Sequence, residues 1–217
     1  MKGLVDYLER NWSTVLELTI EHAIVVLVSV GIATVIGVGL AVLTYTNPPA
    51  RNLVLRVTGL LLTIPSLALY AILITIPFLG IGTKSVIVAL TMYALMPIVR
   101  NTVTGLLGVD PAIVESAQGM GMGRVERLWR IELPLAWPVV LTGVRISTLI
   151  VVGIAALGAI VNGPGLGELI FRGLSGAGRP FALPIALAGF LGVIVLAAVL
   201  DGLFALISRL TTSRGIR

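Results

Sequence analysis

The sequence predicts an all-α, polytopic membrane protein with five transmembrane helices, and two properties carry that prediction. Of the 217 residues, 57% are hydrophobic and only 12% are charged, and the mean hydropathy is +1.08. A soluble domain of this length cannot bury so much apolar surface, because its exterior must stay largely polar. The second property is the spacing of the charges, which leaves long uncharged stretches. Lipid is therefore the solvent expected for most of these side chains.

Five stretches have the composition of membrane spans, for which a bilayer core requires about 20 mostly apolar residues. They are residues 22–50, 57–83, 85–99, 146–167 and 180–200. The third is short, but Lys84 and Arg100 at its ends can extend their charged groups to the membrane surface. Together the stretches predict a five-helix core over residues 22–208 of a single transmembrane domain, 1–217.

The basic residues predict the orientation. With the N-terminus outside, ten of the 15 Lys and Arg residues lie on the inner side and five on the outer side. Cytoplasmic loops carry the excess of basic residues, so the chain is predicted N-out and C-in. Acidic residues interrupt residues 1–21, which argues against a secretory signal. Leu4, Leu8 and Trp12 share one helical face there and predict an interfacial helix; a frayed terminus is the alternative.

Several classes of function are excluded by composition. The basic residues are scattered between apolar runs, so binding of nucleic acid is not expected. The chain has no cysteine, and His22 is its single histidine. A metal centre built on His and Cys and a Ser-His-Asp triad are ruled out on these grounds. Paired carboxylates suited to acid–base catalysis in one pocket are also absent from the sequence. We predict no catalytic residue and no metal site.

The most polar segment of the chain, residues 109–134, predicts a compact knob on the cytoplasmic side. Asp110 and Pro111 have the chemistry of a helix start. Gly119 and Gly121 should interrupt that helix, and a second helix should run from about Gly123 until Pro134 ends it. Two amphipathic helices joined at glycines form a rigid surface on which a soluble partner can dock. An ordinary interfacial loop is the alternative, and these residues alone do not decide between the two.

The spacing of this segment resembles a known motif. Glu115-Ser116-Ala117, Gly121 and Ile131-Glu132-Leu133-Pro134 resemble the EAA loop of binding-protein-dependent ABC importer permeases, E-A-A-x3-G-x9-I-x-L-P. The one departure is Ser116 in place of alanine. Other stretches resemble the permeases for glycine betaine, carnitine and choline: Thr63-Ile64-Pro65-Ser66-Leu67-Ala68, Leu95-Met96-Pro97-Ile98-Val99-Arg100 and Gly143-Val144-Arg145-Ile146-Ser147.

The resemblance implies a MetI-like permease core in the cell membrane of a prokaryote. Such a core pairs with a second copy or a sister permease and receives its solute from an extracytoplasmic binding protein, here expected to be a separate chain. A cytoplasmic ATPase subunit would bind ATP and Mg²⁺, so no cofactor is expected on this chain. The residues expected to couple to that ATPase are Glu115, Ser116, Ala117, Gly121, Arg124, Arg127, Ile131, Leu133 and Pro134.

The resemblance also implies a translocation path and a gate. The residues expected along the path are Thr63, Pro65, Ser66, Tyr70 and Tyr93; kinked packing without solute contact is the alternative. The glycine-rich stretch with Gly163, Gly165 and Gly167 is expected to contribute to an outer gate, or else to be a flexible loop. It lacks the Gly-Lys-Ser/Thr ending of a phosphate-binding loop, so nucleotide binding there is not expected.

Three other classes of protein compete with a transport subunit. A membrane-embedded enzyme needs a polar cluster at membrane depth, which the spans lack. An ion-coupled secondary carrier commonly shows inverted repeats and buried acidic residues, and the spans offer one candidate, Asp201. A structural protein has no need of the knob. For the solute, the resemblance favours a quaternary amine such as glycine betaine, carnitine, choline or proline betaine. Another small zwitterion or an amino-acid derivative is the alternative.

Overall fold

The computed structural model describes residues 2–211, and every regular element in that part of the chain is helical. The helices, numbered in chain order, are α1 Lys2–Thr44, α2 Pro48–Thr63, α3 Ser66–Leu73, α4 Thr83–Leu107, α5 Pro111–Gly119, α6 Arg124–Arg127, α7 Leu133–Ala155, α8 Gly167–Ser175 and α9 Ala182–Thr211. A π-helical turn, Leu128–Glu132, joins α6 to α7, and a 3-10 segment, Ala156–Val161, extends α7.

Four helical segments are long and apolar enough to cross a membrane: Gly3–Thr44, Thr83–Leu107, Arg124–Val161 and Ala182–Thr211. The pair α2 and α3 makes a fifth span if the two helices are taken as one, although they meet at 96°. The structure therefore has four or five candidate spans, and the predicted five is reached when the bent pair counts as one span. The expected N-out, C-in orientation stays a prediction.

The second predicted span, 57–83, is wrong as one continuous helix. It breaks at Ile64 and Pro65, where Ile64 adopts an extended backbone with ψ 129°. A proline disfavours helical backbone in the residue before it, which explains the break. The hydroxyl of Tyr93 donates to the carbonyl of Ile64 at 2.7 Å and so satisfies an acceptor that the break leaves free.

The other helix boundaries also differ from the prediction. The first span ends at Thr44 instead of residue 50, because Asn47 caps α2 and accepts a hydrogen bond from the Ala50 N–H at 3.3 Å. Residues 2–21 are helical as expected, but they continue into that span with only a kink at Asn11. The fourth span begins well before residue 146, since the chain is helical from Arg124 to Val161.

The centre of the bundle is α4, which packs against α1, α2, α3 and α7. Its side chains Leu90, Tyr93 and Ile98 are fully enclosed. The approach to α7 is closest at Gly143, where an added Cβ would lie 2.7 Å from the Asn101 Cβ and 2.8 Å from the Pro97 carbonyl oxygen. Small residues permit such close packing between helices in lipid. Many large apolar side chains remain exposed around the bundle, as expected for a surface that faces lipid.

Candidate functional site

The knob predicted from residues 109–134 is present, with its two helices joined at glycines. Asp110 starts α5 by accepting a hydrogen bond from the Ala112 N–H at 2.9 Å. The chain then turns at Gly121, whose φ of +84° lies in the left-handed region that favours glycine. Gly123 precedes α6. The predicted helix–glycine–helix arrangement is therefore confirmed.

The predicted end of the second knob helix at Pro134 is wrong. The helix continues through the π turn into α7, and the Leu133 N–H donates to the carbonyl of Leu128, five residues earlier. Pro134 lacks the N–H that a regular helix interior uses, but it lies directly after the π turn and does not end the helix. The knob is thus continuous with a helix long and apolar enough to span the membrane.

The coupling residues predicted in α5 and the following turn divide between surface and interior. Glu115, Ser116 and Gly121 are exposed, and an added Cβ at Gly121 would meet nothing within 4 Å. Ala117 is only 1% exposed and packs into the subunit, so its side chain does not form part of the outer face of the knob. Large apolar side chains outside the predicted coupling residues are exposed beside the turn instead: Met120, Val125 and Trp129.

The two arginines expected to offer charge contacts already have partners inside the subunit. The Arg124 Nη2 donates to the Thr46 Oγ1 at 2.8 Å, and the Arg127 Nε donates to the Glu132 Oε1 at 2.6 Å. Arg124 remains exposed, whereas the Arg127 side chain is only 13% exposed. Contact of Arg124 with a partner stays a prediction, while the Arg127 charge is directed into the protein.

Glu132 is a residue that the sequence reasoning missed. It is 3% exposed, and its Oε2 accepts a hydrogen bond from the Tyr45 hydroxyl at 2.6 Å. Burial raises the pKa of Tyr45, and the hydrogen bond to Glu132 raises it further, so the phenol keeps its proton at neutral pH. Beside Glu132, Ile131 and Leu133 are partly buried and Pro134 is exposed.

The residues predicted along the path do not form one surface of this subunit. Thr63 and Pro65 are exposed at the break between α2 and α3, where Ser66 begins α3. Tyr70 and Tyr93 are 1% and 2% exposed and lie in the central core. Kinked packing, the alternative reading, describes these two tyrosines well. A path lining by the exposed residues at the break stays a prediction.

The glycine-rich loop packs closely against the spans, which argues against the flexible-loop alternative. Gly163, Gly165 and Gly167 are buried. An added Cβ at Gly165, whose φ is +116°, would lie 2.8 Å from the His22 Nδ1, and one at Gly167 would overlap the Ala156 carbonyl oxygen. The His22 Nε2 lies 3.0 Å from the Val152 carbonyl oxygen and therefore donates to it. The gate assignment itself stays a prediction.

A cavity of about 790 Å³ opens beside this loop. Its polar lining includes Glu21, Asn162, Glu168 and Arg172. Glu168 and Arg172 form an ion pair across one turn of α8. Within residues 2–211, no three His, Asp or Glu side chains come together as a metal site would require.

Arg145 and Asp201 form an ion pair between α7 and α9. The Arg145 Nε and Nη2 donate to the two oxygens of Asp201 at 2.6 and 2.7 Å. Charged groups within membrane spans characteristically pair with one another. The two residues thus neutralise each other.

Comparison with known proteins identifies the family. Residues 33–213 match the family model described as "Binding-protein-dependent transport system inner membrane component". The chain belongs to this family. The permease is therefore a membrane component of a transport system, and its function is transport, not catalysis.

Curated relatives match the permease along its whole length. The choline transport system permease protein OpuBB of Bacillus subtilis is 35% identical over 217 residues, which cover 100% of this chain and 97% of the relative. The osmoprotectant import permease protein OsmW of Salmonella typhimurium is 37% identical over 216 residues, 98% and 99% of the two chains. The carnitine transport permease protein OpuCB of Listeria monocytogenes is 35% identical over 217 residues, 100% and 97%.

The fold of the permease is also known from solved structures. A chain of the MetNI methionine ABC transporter, in an inward-facing conformation, superposes with a TM-score of 0.82 at 23% sequence identity. The match covers 94% of the permease and 99% of that chain. The predicted all-α, MetI-like fold is confirmed.

Proposed function

We propose that this permease imports a quaternary amine of the glycine betaine, choline or carnitine type, as part of an ATP-driven importer in the cell membrane of a prokaryote. The observation that carries the proposal is the full-length similarity to relatives named for choline, carnitine and osmoprotectant transport. The similarity spans the knob, the broken span and the glycine-rich loop alike.

The exposed face of the knob supports a cytoplasmic ATPase as the partner. Met120, Val125 and Trp129 expose apolar side chains around the turn at Gly121. Apolar side chains on a segment that connects spans favour burial against another protein. ATP and Mg²⁺ would bind that ATPase. A second permease, identical or a sister chain, and an extracytoplasmic binding protein complete the proposed importer.

Aromatic faces are the usual means of holding quaternary ammonium groups, but the two aromatic residues predicted along the path are enclosed in the core of the subunit. Tyr70 and Tyr93 are buried, and their hydroxyls point to backbone carbonyls of Ile154 and Ile64. We therefore assign the choice of solute mainly to the binding protein. Another small zwitterion or an amino-acid derivative is the second candidate for the solute.

Reconstitution of the complete importer tests the proposal. Proteoliposomes with the permease and its ATPase receive ATP inside and the binding protein outside, and the uptake of radiolabelled choline, glycine betaine and carnitine is measured. We expect uptake that requires both ATP hydrolysis and the binding protein. Uptake driven by an ion gradient without the ATPase would contradict the proposal and support a secondary carrier. ATP-dependent uptake of a radiolabelled amino-acid derivative, with no uptake of the three amines, would favour the second candidate solute.

A further inference from the structure

The π turn between α6 and α7 brings together two residues that an α-helix would separate. Side chains three or four positions apart are neighbours on an α-helix, but Arg127 and Glu132 are five positions apart. The i→i+5 hydrogen bonding of the π turn Leu128–Glu132 allows the Arg127 Nε to reach the Glu132 Oε1 at 2.6 Å. Single π turns within α-helices occur frequently at functional sites.

The carboxylate of Glu132 then connects this turn to the end of α1. One oxygen accepts a hydrogen bond from Arg127 and the other accepts one from the Tyr45 hydroxyl, each at 2.6 Å. A buried carboxylate is tolerated only when charges and donors compensate for its lost hydration. Glu132 is only 3% exposed. If α6 and the π turn moved while Tyr45 stayed in place, one oxygen of the buried carboxylate would lose its donor. The three side chains are therefore held as a unit.

A second contact joins α6 to Thr46, the residue after Tyr45, in the corner between α1 and α2. The Arg124 Nη2 donates to the Thr46 Oγ1 at 2.8 Å, and the Arg51 Nη1 of α2 donates to the Tyr45 carbonyl oxygen at 3.2 Å. Residues 45 and 46 form the connection between α1 and α2. The second knob helix is thus bonded to the point where two membrane helices meet.

The first knob helix, in contrast, stands away from this corner. A cavity of about 380 Å³ opens there, and its lining includes Tyr45 and Thr46, Val114 and Gln118 of α5, and Arg127 and Glu132. Space on the α5 side and charge-assisted hydrogen bonds on the α6 side leave α6 as the direct connection. Movement of the knob therefore reaches α1 and α2 through the side chains of α6 and the π turn.

We propose that Glu132 is a positioning residue that transmits movement of the knob to the corner between α1 and α2. The inference rests on the proposed ATP-driven import. Glu132 acts through Tyr45 and Arg127 and touches neither solute nor nucleotide. Its loss should leave the exposed face of the knob intact, so the ATPase still binds and hydrolyses ATP while fewer solute molecules cross per ATP.

The test compares Glu132→Gln and Tyr45→Phe in the reconstituted importer with its ATPase, binding protein and radiolabelled choline, glycine betaine and carnitine. Three quantities are measured: co-purification of the ATPase, ATP hydrolysis stimulated by the loaded binding protein, and solute taken up per ATP hydrolysed. Tyr45→Phe removes a hydrogen bond to a charged group, and Glu132→Gln removes the charge and one of the two acceptor oxygens, so each should lower the last ratio about tenfold. Glu9→Gln, at an exposed position of α1, is the matched control and should leave the ratio unchanged.

The double variant, Tyr45→Phe with Glu132→Gln, distinguishes transmission through one unit from two separate defects. Residues that act together are non-additive, so the double variant should have a ratio no lower than that of the worse single variant. A purely structural role would reduce ATPase binding, hydrolysis and uptake together, and this result would overturn the proposal.

Each remaining outcome also decides the question. A normal ratio in both single variants overturns the inference, provided that the wild-type importer works. If Glu132→Gln does not insert, Tyr45→Phe decides: a lowered ratio with normal ATPase binding supports the inference, and a normal ratio overturns it. A wild-type importer without ATP-dependent uptake of the three amines would contradict the proposed function and, with it, the role assigned to Glu132.

Discussion

Gly121→Ala tests whether the backbone of the knob, as distinct from its surface, matters for docking. Gly121 has φ +84°, and an added methyl group would meet nothing within 4 Å. The substitution therefore causes no clash within the permease, and its cost is conformational. A residue with a Cβ in the left-handed region costs about 1–2 kcal/mol. If the ATPase binds only the native turn, its affinity for the permease should fall about 5- to 30-fold.

Two neighbouring glycines provide matched controls. An added Cβ at Gly119 or at Gly123 also meets nothing within 4 Å, and neither position has a φ in the left-handed region. Binding of the ATPase to the permease in nanodiscs, measured by titration, should weaken for Gly121→Ala and change little for Gly119→Ala and Gly123→Ala. Equal weakening in all three would refute the conformational explanation and assign the effect to bulk on the docking face.

Five further substitutions, two of them controls, test the packing and the capping of the helices. Gly143→Ala should destabilise the permease by about 1–3 kcal/mol, because the methyl group would overlap α4. Gly153→Ala, the control on the same helix, meets nothing within 4 Å and should be neutral or stabilising by up to about 1 kcal/mol. Equal melting temperatures of the two variants in detergent would contradict this prediction. Tyr93→Phe should cost about 1–3 kcal/mol, since it removes the 2.7 Å hydrogen bond to the broken span, and Tyr70→Phe, with a contact of 3.4 Å, should cost less in the same melting experiment. Asp110→Ala should destabilise the start of α5 by about 1 kcal/mol, seen as faster hydrogen exchange of the α5 amides; unchanged exchange would show that the cap is dispensable.

The sequence predicts the kind of fold well, because apolar length is a local property. The predicted span boundaries are wrong where a contact with a distant residue changes the effect of a local residue on the helix. Arg145 marks the start of the predicted fourth span, yet its charge is paired with Asp201 of another helix and the span continues through it. Pro65 signals a kink in the second predicted span, but the 96° angle depends on packing and on the support that Tyr93 gives to the break.

The candidate site is predicted in part for a similar reason. The family spacing locates the knob and its exposed residues Glu115 and Gly121. It leaves the position of Glu132 unspecified, and Arg127 lies five residues away, outside the spacing at which α-helical side chains are neighbours. Glu132 is recognisable as a site residue only from the π turn, which no local sequence pattern predicts, and from its contact with the distant Tyr45.

The ion pair between α7 and α9 also has a consequence for the synthesis of the chain. Arg145 is translated 56 residues before Asp201, so α7 is synthesised before the carboxylate that neutralises its charge. A charged side chain within a span is costly in lipid until it finds its partner. The later of the two helices therefore completes the insertion of the earlier one, and α7 and α9 should become resistant to extraction from the bilayer together.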